Sequence, residues 1–108
     1  MTRTPRPGRP VRGSTTGRPI MAVIDLLGRR WALRIIWELR DGRRTFRGLQ
    51  DACGGLSPTV LNQRLKELRE SRLVDLEGDG YGLTSSGQQL REALHPLLDW
   101  SKRWAREV

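Results

Sequence analysis

The stretch "LSPTVLNQRLKEL", residues 56–68, specifies a helix start and two chemically different helix faces. Ser57 is suited to cap the first turn, and Pro58 suits the first helical position, where its missing N–H costs no hydrogen bond. Side chains three and four residues apart share one face of a helix, so the leucines of the stretch lie together. These core-facing residues are Leu61, Leu65 and Leu68. The sequence predicts a helix over residues 57–71 with its leucine side buried.

The opposite side of this predicted helix carries side chains that are suited to reading DNA bases. They are Thr59, Asn62, Gln63 and Lys66. Asparagine and glutamine amides pair with adenine N6 and N7 in the major groove, lysine reaches guanine O6 or N7, and threonine contacts a thymine methyl. A solvated face that reads nothing would more often carry glutamate and lysine, and on the evidence of this helix alone that alternative stays open.

Elements on either side of this helix predict a winged helix-turn-helix. The segment "TFRGLQDAC", residues 45–53, has the pattern of a short helix that is capped by Thr45 and ended by the two following glycines. Two helices joined by a glycine-containing turn, the second firmly capped, have the outline of a helix-turn-helix. Downstream, "LVDL" and "YGLT" have strand character around a tight turn at Asp79-Gly80, which predicts a small β-hairpin wing.

Apolar side chains on the other predicted helices indicate a partner chain. The segments "IMAVIDLLG" (20–28) and "RRWALRIIWELRDG" (29–42) predict two helices, and the chain after Thr84 predicts a long last one. Leu33 and Trp37 lie outside the main apolar stripe of the second helix, as on a helix that is covered from two sides. The alternative is that these two apolar residues are simply exposed. Along the last helix, leucines and tryptophans recur at steps of three and four residues, and this apolar face needs a partner.

Most of the excess positive charge lies at the start of the chain. The 108 residues carry a net charge of +8, which favours a polyanionic partner such as nucleic acid. Residues 1–19 contain five arginines, four prolines and no acidic residue, so we expect a disordered basic tail ahead of one folded domain over residues 20–108. We hypothesise that the tail lies in an A·T-rich minor groove; a tail that only keeps the protein in solution is the alternative. The arginines concerned are Arg3, Arg6, Arg9 and Arg12.

Several classes of protein are disfavoured by what the sequence lacks. It has no apolar run of about 18 residues that would span a membrane and no secretory signal pattern, so we expect a cytoplasmic protein. Cys53 is the only cysteine and His95 the only histidine, so no disulfide, metal site or cofactor is expected. The sequence also lacks a recognisable acid pair, nucleophile–base set or phosphate loop, and we therefore expect no enzymatic activity.

Four segments in register carry a family resemblance. In order and spacing, "LLGRRWALRIIWEL", "GRRTFRGLQ", "LSPTVLNQRLKELRESRLV" and "YGLTSSGQQL" resemble the HxlR-type winged-helix transcription regulators, relatives of the MarR type. The resemblance covers about residues 18–105. It implies a mainly α fold with a small β-hairpin wing that dimerises through its first and last helices and binds double-stranded DNA. The helix over residues 57–71 would be the recognition helix, which enters the major groove.

Carried over by position, the resemblance implies roles for two further sets of residues. DNA backbone contacts would come from Ser57, Arg64, Arg43, Arg44 and Arg47, of which the first two would alternatively position the recognition helix. The interface of the homodimer would consist of Met21, Ile24, Leu90, Leu94, Leu97, Trp100 and Trp104. The expected function is a sequence-specific transcription regulator that reads a pseudo-palindromic operator. The alternative is a module that keeps the fold but binds nucleic acid or protein without operator specificity.

The sequence departs from the family in three places. Where many members have a Cys-Pro pair, which in some senses oxidants, this chain has Arg18-Pro19, and Cys53 is expected to be an inert buried thiol. Arg72 stands where relatives commonly have glycine, and arginine would be strained there if the backbone needs a positive φ. The predicted wing has no lysine or arginine, and its acidic residues should repel phosphate. These are Asp75, Glu77 and Asp79.

The sequence does not identify a small-molecule effector. A pocket between the dimer helices and the winged domain would be lined by Trp31, Trp37 and Trp100. Aromatic residues at helical spacing more often belong to a core, so a place in the core is the alternative for these three tryptophans.

Overall fold

Five helices and a three-stranded antiparallel sheet make up residues 3–108, the part of the chain that the computed structural model describes. In chain order the elements are α1 (Pro19–Leu27), α2 (Ala32–Glu38), β1 (Arg44–Thr45), α3 (Phe46–Ala52), α4 (Pro58–Glu70), β2 (Val74–Glu77), β3 (Gly80–Leu83) and α5 (Ser85–Ala105). This confirms the predicted mainly α fold with a small wing. No helix within residues 3–108 has an apolar stretch long enough to span a bilayer.

Hydroxyl caps start three of the helices where the sequence predicts them. The Thr45 side chain accepts a hydrogen bond from the Gly48 N–H at 3.0 Å at the start of α3. Ser57 accepts from Val60 at the start of α4, and Thr84 accepts from Gly87 at the start of α5. Each hydroxyl satisfies an N–H group that has no partner inside the helix. Helix α4 therefore begins at Pro58, directly after its cap residue Ser57.

The leucine side of α4 fixes which way its other side points. Leu61, Leu65 and Leu68 are at most 1% exposed and pack with the apolar residues of α2 and α3. The largest buried side chains of those two helices and their ends are Ile35, Leu39 and Leu49. Burial of side chains of this size stabilises the fold by about 1.5–3 kcal/mol each. The polar side of α4 is consequently directed away from the core.

The wing is a hairpin of β2 and β3, with β1 added as a third strand on the far side of β3. Glu77 pairs with Gly80, so the two turn residues are Gly78 and Asp79, and the predicted turn at Asp79-Gly80 was wrong by one position. Gly78 has a φ of +61°. A two-residue hairpin turn that begins with a positive φ takes glycine first, and this explains the shift.

The link between α4 and the wing contains an arginine in the left-handed region. Arg72 has a φ of 59°, so the positive φ considered from the sequence is present. The Thr84 hydroxyl donates to the Arg72 carbonyl at 2.6 Å, and the Thr84 N–H donates to the Leu73 carbonyl at 3.1 Å. These hydrogen bonds hold the link against the start of α5 despite the strain of about 1–2 kcal/mol that a side chain meets there.

Residues 3–18 lie against the domain in this structure, and the disorder expected of the free tail stays a prediction. The buried Arg29 donates from its Nη2 to the Arg3 carbonyl at 2.7 Å. The Asp25 carboxylate accepts from the Arg12 N–H at 3.2 Å. The folded domain thus supplies polar partners for two backbone groups of the tail.

Candidate nucleic-acid interface

The four predicted base-contacting residues lie on the polar side of α4. Thr59, Asn62 and Lys66 are exposed, and Gln63 is half-buried between them. They occupy consecutive turns opposite the buried leucines, and Ser57 caps the same helix at its exposed start. The arrangement presents a hydroxyl, two amides and an ammonium group on one convex surface. This set of groups matches the donors and acceptors of base edges in a major groove.

Gln63 differs from the other three because its amide has a partner inside the protein. Its Nε2 donates to a carboxylate oxygen of Glu67, one turn further along α4, at 3.3 Å. Glu67 is only 2% exposed. The half-buried amide is therefore oriented before any ligand arrives.

A network of charged side chains joins Glu67 to the turn between α1 and α2. Arg29 Nη1 lies 2.5 Å from Glu67 Oε2, and Arg64 Nη1 lies 2.9 Å from Glu67 Oε1. Arg29 is itself buried and lies 3.7 Å from Asp25 of α1. Arg64 also donates from Nε to the Arg30 carbonyl at 2.7 Å. The network ties α4 to the first helix of the fold.

Sequence reasoning missed Glu67 and Arg29, and it left two roles open for Arg64. Both nitrogens that hold Arg64 in place bond to protein, which favours positioning of the helix over a free phosphate contact. The spacing of Glu67 could have indicated that it is buried. It follows Val60 by seven residues, which is two helical turns, and so lies on the flank of the leucine stripe. Nothing local points to Arg29, which is 38 residues away.

Arg43 lies across the wing. Its Nη2 is 2.6 Å from Asp75 Oδ1 and 3.4 Å from Glu77 Oε2, and its Nη1 donates to the Gly80 carbonyl at 2.9 Å. A Cβ atom at Gly82 would lie 2.8 Å from Arg43 Cγ, so this glycine leaves the space that the side chain occupies. The guanidinium offsets part of the negative charge of the wing, and these internal contacts compete with any phosphate for it.

The other two arginines before and within α3 differ in their availability. Arg44 Nε donates to the Glu38 carbonyl at 2.8 Å, and its Nη2 lies 3.9 Å from the Glu38 carboxylate. The Arg47 side chain is 85% exposed and has only a loose contact of 3.8 Å with Asp51. Among Arg43, Arg44 and Arg47, only Arg47 can bind a phosphate without first losing close contacts within the protein.

The tail adds positive charge beside α4. One cleft between the tail and α4 is lined mainly by basic side chains: Arg3, Arg6, Arg9, Lys66 and Arg72, together with Gln63. The acidic residue of this cleft, Glu70, accepts a hydrogen bond from the Thr4 hydroxyl at 2.6 Å. Arg12 lines a second cleft on the other side of Gln63, next to Thr59 and Arg30. Both clefts flank the polar side of α4.

Most of the predicted dimer residues are exposed in the single chain. Ile24 is 56% exposed, Leu97 50%, and Trp100 and Trp104 stack on each other with ring centroids 5.6 Å apart. Met21 and Leu94 are half-buried, whereas Leu90 packs against the core of its own chain. On α1 and α2, the exposed apolar residues that the interface set did not include are Ile20, Val23, Leu33 and Trp37. Exposed apolar side chains thus extend over α1, α2 and α5.

The three tryptophans considered for an effector pocket do not line one pocket. Trp31 packs against the core. Trp37 lines an apolar groove between α2 and α5, whose other residues include Leu33, Leu97 and Leu98. Trp100 is not among the residues that line this groove. The geometry therefore favours a place in the core for Trp31 over a place in an effector pocket.

Cys53 is buried in the core, 3% exposed. Burial raises the pKa of its thiol, and the nearby Arg34 opposes this shift only in part. A thiol that holds its proton at neutral pH is a poor nucleophile. Within residues 3–108, no three His, Cys, Asp or Glu side chains are grouped so that they would hold a metal ion.

Known proteins share both the sequence pattern and the fold. A sequence profile of the HxlR-like helix-turn-helix family matches residues 26–108. A helix-turn-helix (HTH) type transcriptional regulator of Methanocaldococcus jannaschii is 27% identical over 88 residues, which cover 78% of this chain and 83% of that protein. YvaP of Bacillus subtilis, another protein named as an HTH-type transcriptional regulator, is 31% identical over 75% of this chain and 82% of its own length.

Solved structures agree with these matches. The quinone-bound YodB from Bacillus subtilis has a TM-score of 0.68 and 30% identity, over 82% of this chain and 97% of that one. A possible HxlR family transcriptional factor from Thermoplasma volcanium has a TM-score of 0.69 and 34% identity, over 78% of this chain and 82% of that one. Together with the family profile, these likenesses show that the chain belongs to the HxlR-like helix-turn-helix family, whose named members are transcriptional regulators.

Proposed function

We propose that this protein is a homodimeric transcription regulator that binds duplex DNA sequence-specifically, with α4 in the major groove. The observation that carries the proposal is the polar side of α4, where Thr59, Asn62 and Lys66 lie opposite a buried leucine face. Gln63 completes the set from its half-buried position. In a chain of this family, such a surface has the chemistry of a recognition helix.

Contacts to the DNA backbone come from groups that surround α4. The exposed Arg47, the Ser57 hydroxyl and the free N–H groups at the start of α4 are available to phosphates. The tail arginines add charge along the side of the helix and, on leaving their docked position, reach an adjacent minor groove. Arg43 is not among these backbone contacts, because its guanidinium pairs with Asp75 and Glu77 of the wing.

Dimerisation buries the apolar surface on α1 and α5. Leu97, Trp100 and Trp104 are each about half exposed in the single chain, and contiguous apolar patches of this kind mark interfaces. A two-fold axis through this surface relates two recognition helices. Helices in successive major grooves require half-site centres about 34–36 Å apart, so the operator is a pseudo-palindrome.

The experiment that tests this proposal begins with selection of bound duplexes from a randomised DNA pool. Hydroxyl-radical footprinting of the enriched duplex should then show two equivalent protected blocks about one helical turn apart. Arg47→Ala should weaken both blocks, and Arg106→Ala, which removes the same charge at the far end of α5, should weaken neither. A single asymmetric block would contradict the dimeric mode of binding.

A second candidate function is DNA binding without base reading. The observation that favours it is the wing, whose acidic residues are matched by one internal arginine and offer no phosphate contact. In that case the tail and Arg47 would hold DNA of any sequence. The two functions differ in the ratio of specific to nonspecific affinity.

A further inference from the structure

We propose that Glu67 is a positioning residue for base reading: it fixes which hydrogen-bonding atoms Gln63 presents to DNA, so that Gln63 selects adenine over guanine. The inference rests on the proposed function, because it requires α4 to lie in the major groove. Glu67 itself is too deeply buried, at 2% exposed, to touch a base. It acts through its hydrogen bond to Gln63.

The carboxylate of Glu67 is held rigidly before DNA binds. Arg29 bonds to Oε2 at 2.5 Å and Arg64 bonds to Oε1 at 2.9 Å, so both oxygens have a guanidinium partner. Arg29 also lies 3.7 Å from the buried Asp25 carboxylate of α1, a contact that does not depend on the tail. Charge-assisted bonds of this kind are among the strongest in proteins, and a buried set of them has little freedom to rearrange.

The chemistry of a carboxylate then decides the orientation of the Gln63 amide. A carboxylate accepts hydrogen bonds and donates none, so the NH₂ end of the amide must face Glu67 and the carbonyl Oε1 must face away. The Nε2 to Glu67 contact of 3.3 Å uses one of the two N–H bonds. Gln63 is left with one N–H donor and one carbonyl acceptor for a base.

These two remaining groups match adenine and do not match guanine. Adenine presents N7 as an acceptor and N6 as a donor in the major groove, which pair with the free N–H and with Oε1. Guanine presents two acceptors, N7 and O6, and would need both N–H bonds of the amide. Without Glu67, the amide could rotate and meet either purine.

The test compares base preferences from randomised duplex pools for four proteins: wild type, Glu67→Gln, Gln63→Ala and the double variant. The substitution Glu67→Gln keeps the size and shape of the side chain but introduces an amide that both accepts and donates, so it no longer dictates the orientation of Gln63. We expect one position per half-site at which wild type prefers adenine over guanine by about tenfold. Gln63→Ala should abolish that preference, and Glu67→Gln should reduce it without changing the other positions.

The double variant separates positioning from general support of the fold. If Glu67 acts through Gln63, Glu67→Gln in the Gln63→Ala background should leave base preference unchanged. A variant that weakened binding equally at every position, in either background, would show a structural role only and would overturn the inference. Thermal unfolding of each variant establishes that the folded protein is being compared.

The wild type and Gln63→Ala alone keep the inference falsifiable if Glu67→Gln fails to fold. A position that depends on Gln63 and prefers guanine would overturn it, whatever happens at Glu67. An enriched motif with no position that responds to Gln63→Ala would also overturn it and would leave the proposed function intact. A wild-type pool that enriches no motif would overturn the proposed function itself, and this inference with it.

Discussion

Arg43 lies against the wing with its Nη2 2.6 Å from Asp75 Oδ1. This ion pair replaces the protein–phosphate contact that a basic wing would make. The same guanidinium also approaches Glu77 at 3.4 Å, so it offsets part of the negative charge of the hairpin inside the protein. Under the proposed function, the affinity for DNA then comes from α4, from Arg47 and from the tail.

The salt dependence of DNA binding should separate Arg47 from Arg43. We expect Arg47→Ala to reduce the slope of log affinity against log salt by about 1, because one phosphate contact is lost. Arg43→Ala should weaken binding by exposing the acids of the wing. Asp75→Asn together with Glu77→Gln should restore affinity in the Arg43→Ala background, because the acids that Arg43 pairs with are then removed. Failure to restore affinity there, or an unchanged salt slope for Arg47→Ala, would contradict the different roles given to the two arginines.

The tail should contribute several phosphate contacts. Deleting residues 2–17 removes Arg3, Arg6, Arg9 and Arg12, and we expect the salt slope to flatten by about 3–4 units. A matched variant with these four arginines changed to glutamine keeps the backbone groups that dock the tail, and it should show the same slope as the deletion. An unchanged slope in either protein would mean that the tail does not bind DNA.

The apolar surface on α1 and α5 should hold the dimer together. Leu97→Asp or Trp100→Ala should convert dimers into monomers in sedimentation equilibrium, because each buried apolar side chain contributes about 1.5–3 kcal/mol. Leu76→Asp is the control, since Leu76 is also partly exposed, at 37%, but lies on the wing. Wild-type protein that is monomeric at micromolar concentration would contradict this interface.

The strained link after α4 offers a stability test. Arg72→Gly should raise the free energy of unfolding by about 1 kcal/mol, because glycine adopts a φ of 59° without strain from a Cβ atom. Arg69→Gly removes the same side chain from within α4 and should lower the free energy of unfolding by about 0.5–1 kcal/mol. Urea unfolding midpoints measure both effects. A lower midpoint for Arg72→Gly would show that the side chain of Arg72 stabilises the fold more than its backbone strains it.

The thiol of Cys53 should be protected in the native protein. Burial raises its pKa, so native protein should react with iodoacetamide at neutral pH far more slowly than urea-unfolded protein. With the folded pKa above the unfolded one, the stabilisation is complete below the unfolded pKa and is lost as the pH rises through the folded value. Stability should therefore decline in the alkaline range and be less sensitive to pH there in Cys53→Ala. Rapid alkylation of native protein at neutral pH would refute the assignment of an inert thiol.

Local signals in the sequence were sufficient for α1, α3, α4 and α5 and for the polar side of α4. The second helix, predicted over residues 29–42, is shorter in the structure, where α2 spans Ala32–Glu38. Ser57, Pro58 and the leucine spacing act within a few residues of each other, and so α4 appears where it was predicted. The hairpin turn was misplaced by one residue because two adjacent glycine-containing pairs, Gly78-Asp79 and Asp79-Gly80, compete for the same turn.

Contacts between distant residues were outside the reach of those signals. Arg29 and Glu67 are 38 residues apart, and neither has a neighbour that reveals the other. The docked path of residues 3–18 and the pairing of Arg43 with the wing depend on the same kind of long-range partner. Base contacts, backbone contacts and dimer residues remain predictions that require DNA and a second copy of the chain.

The most direct test of sequence-specific binding is a competition titration at near-physiological salt. A labelled duplex carrying the enriched operator is bound by purified protein and challenged with unlabelled operator or with scrambled duplex of the same length. For a regulator that reads bases, we expect the scrambled duplex to be needed at about 10³-fold or greater excess for equal displacement. Equal displacement by both competitors would contradict operator reading. It would show that the protein binds DNA through charge alone, without recognising its sequence.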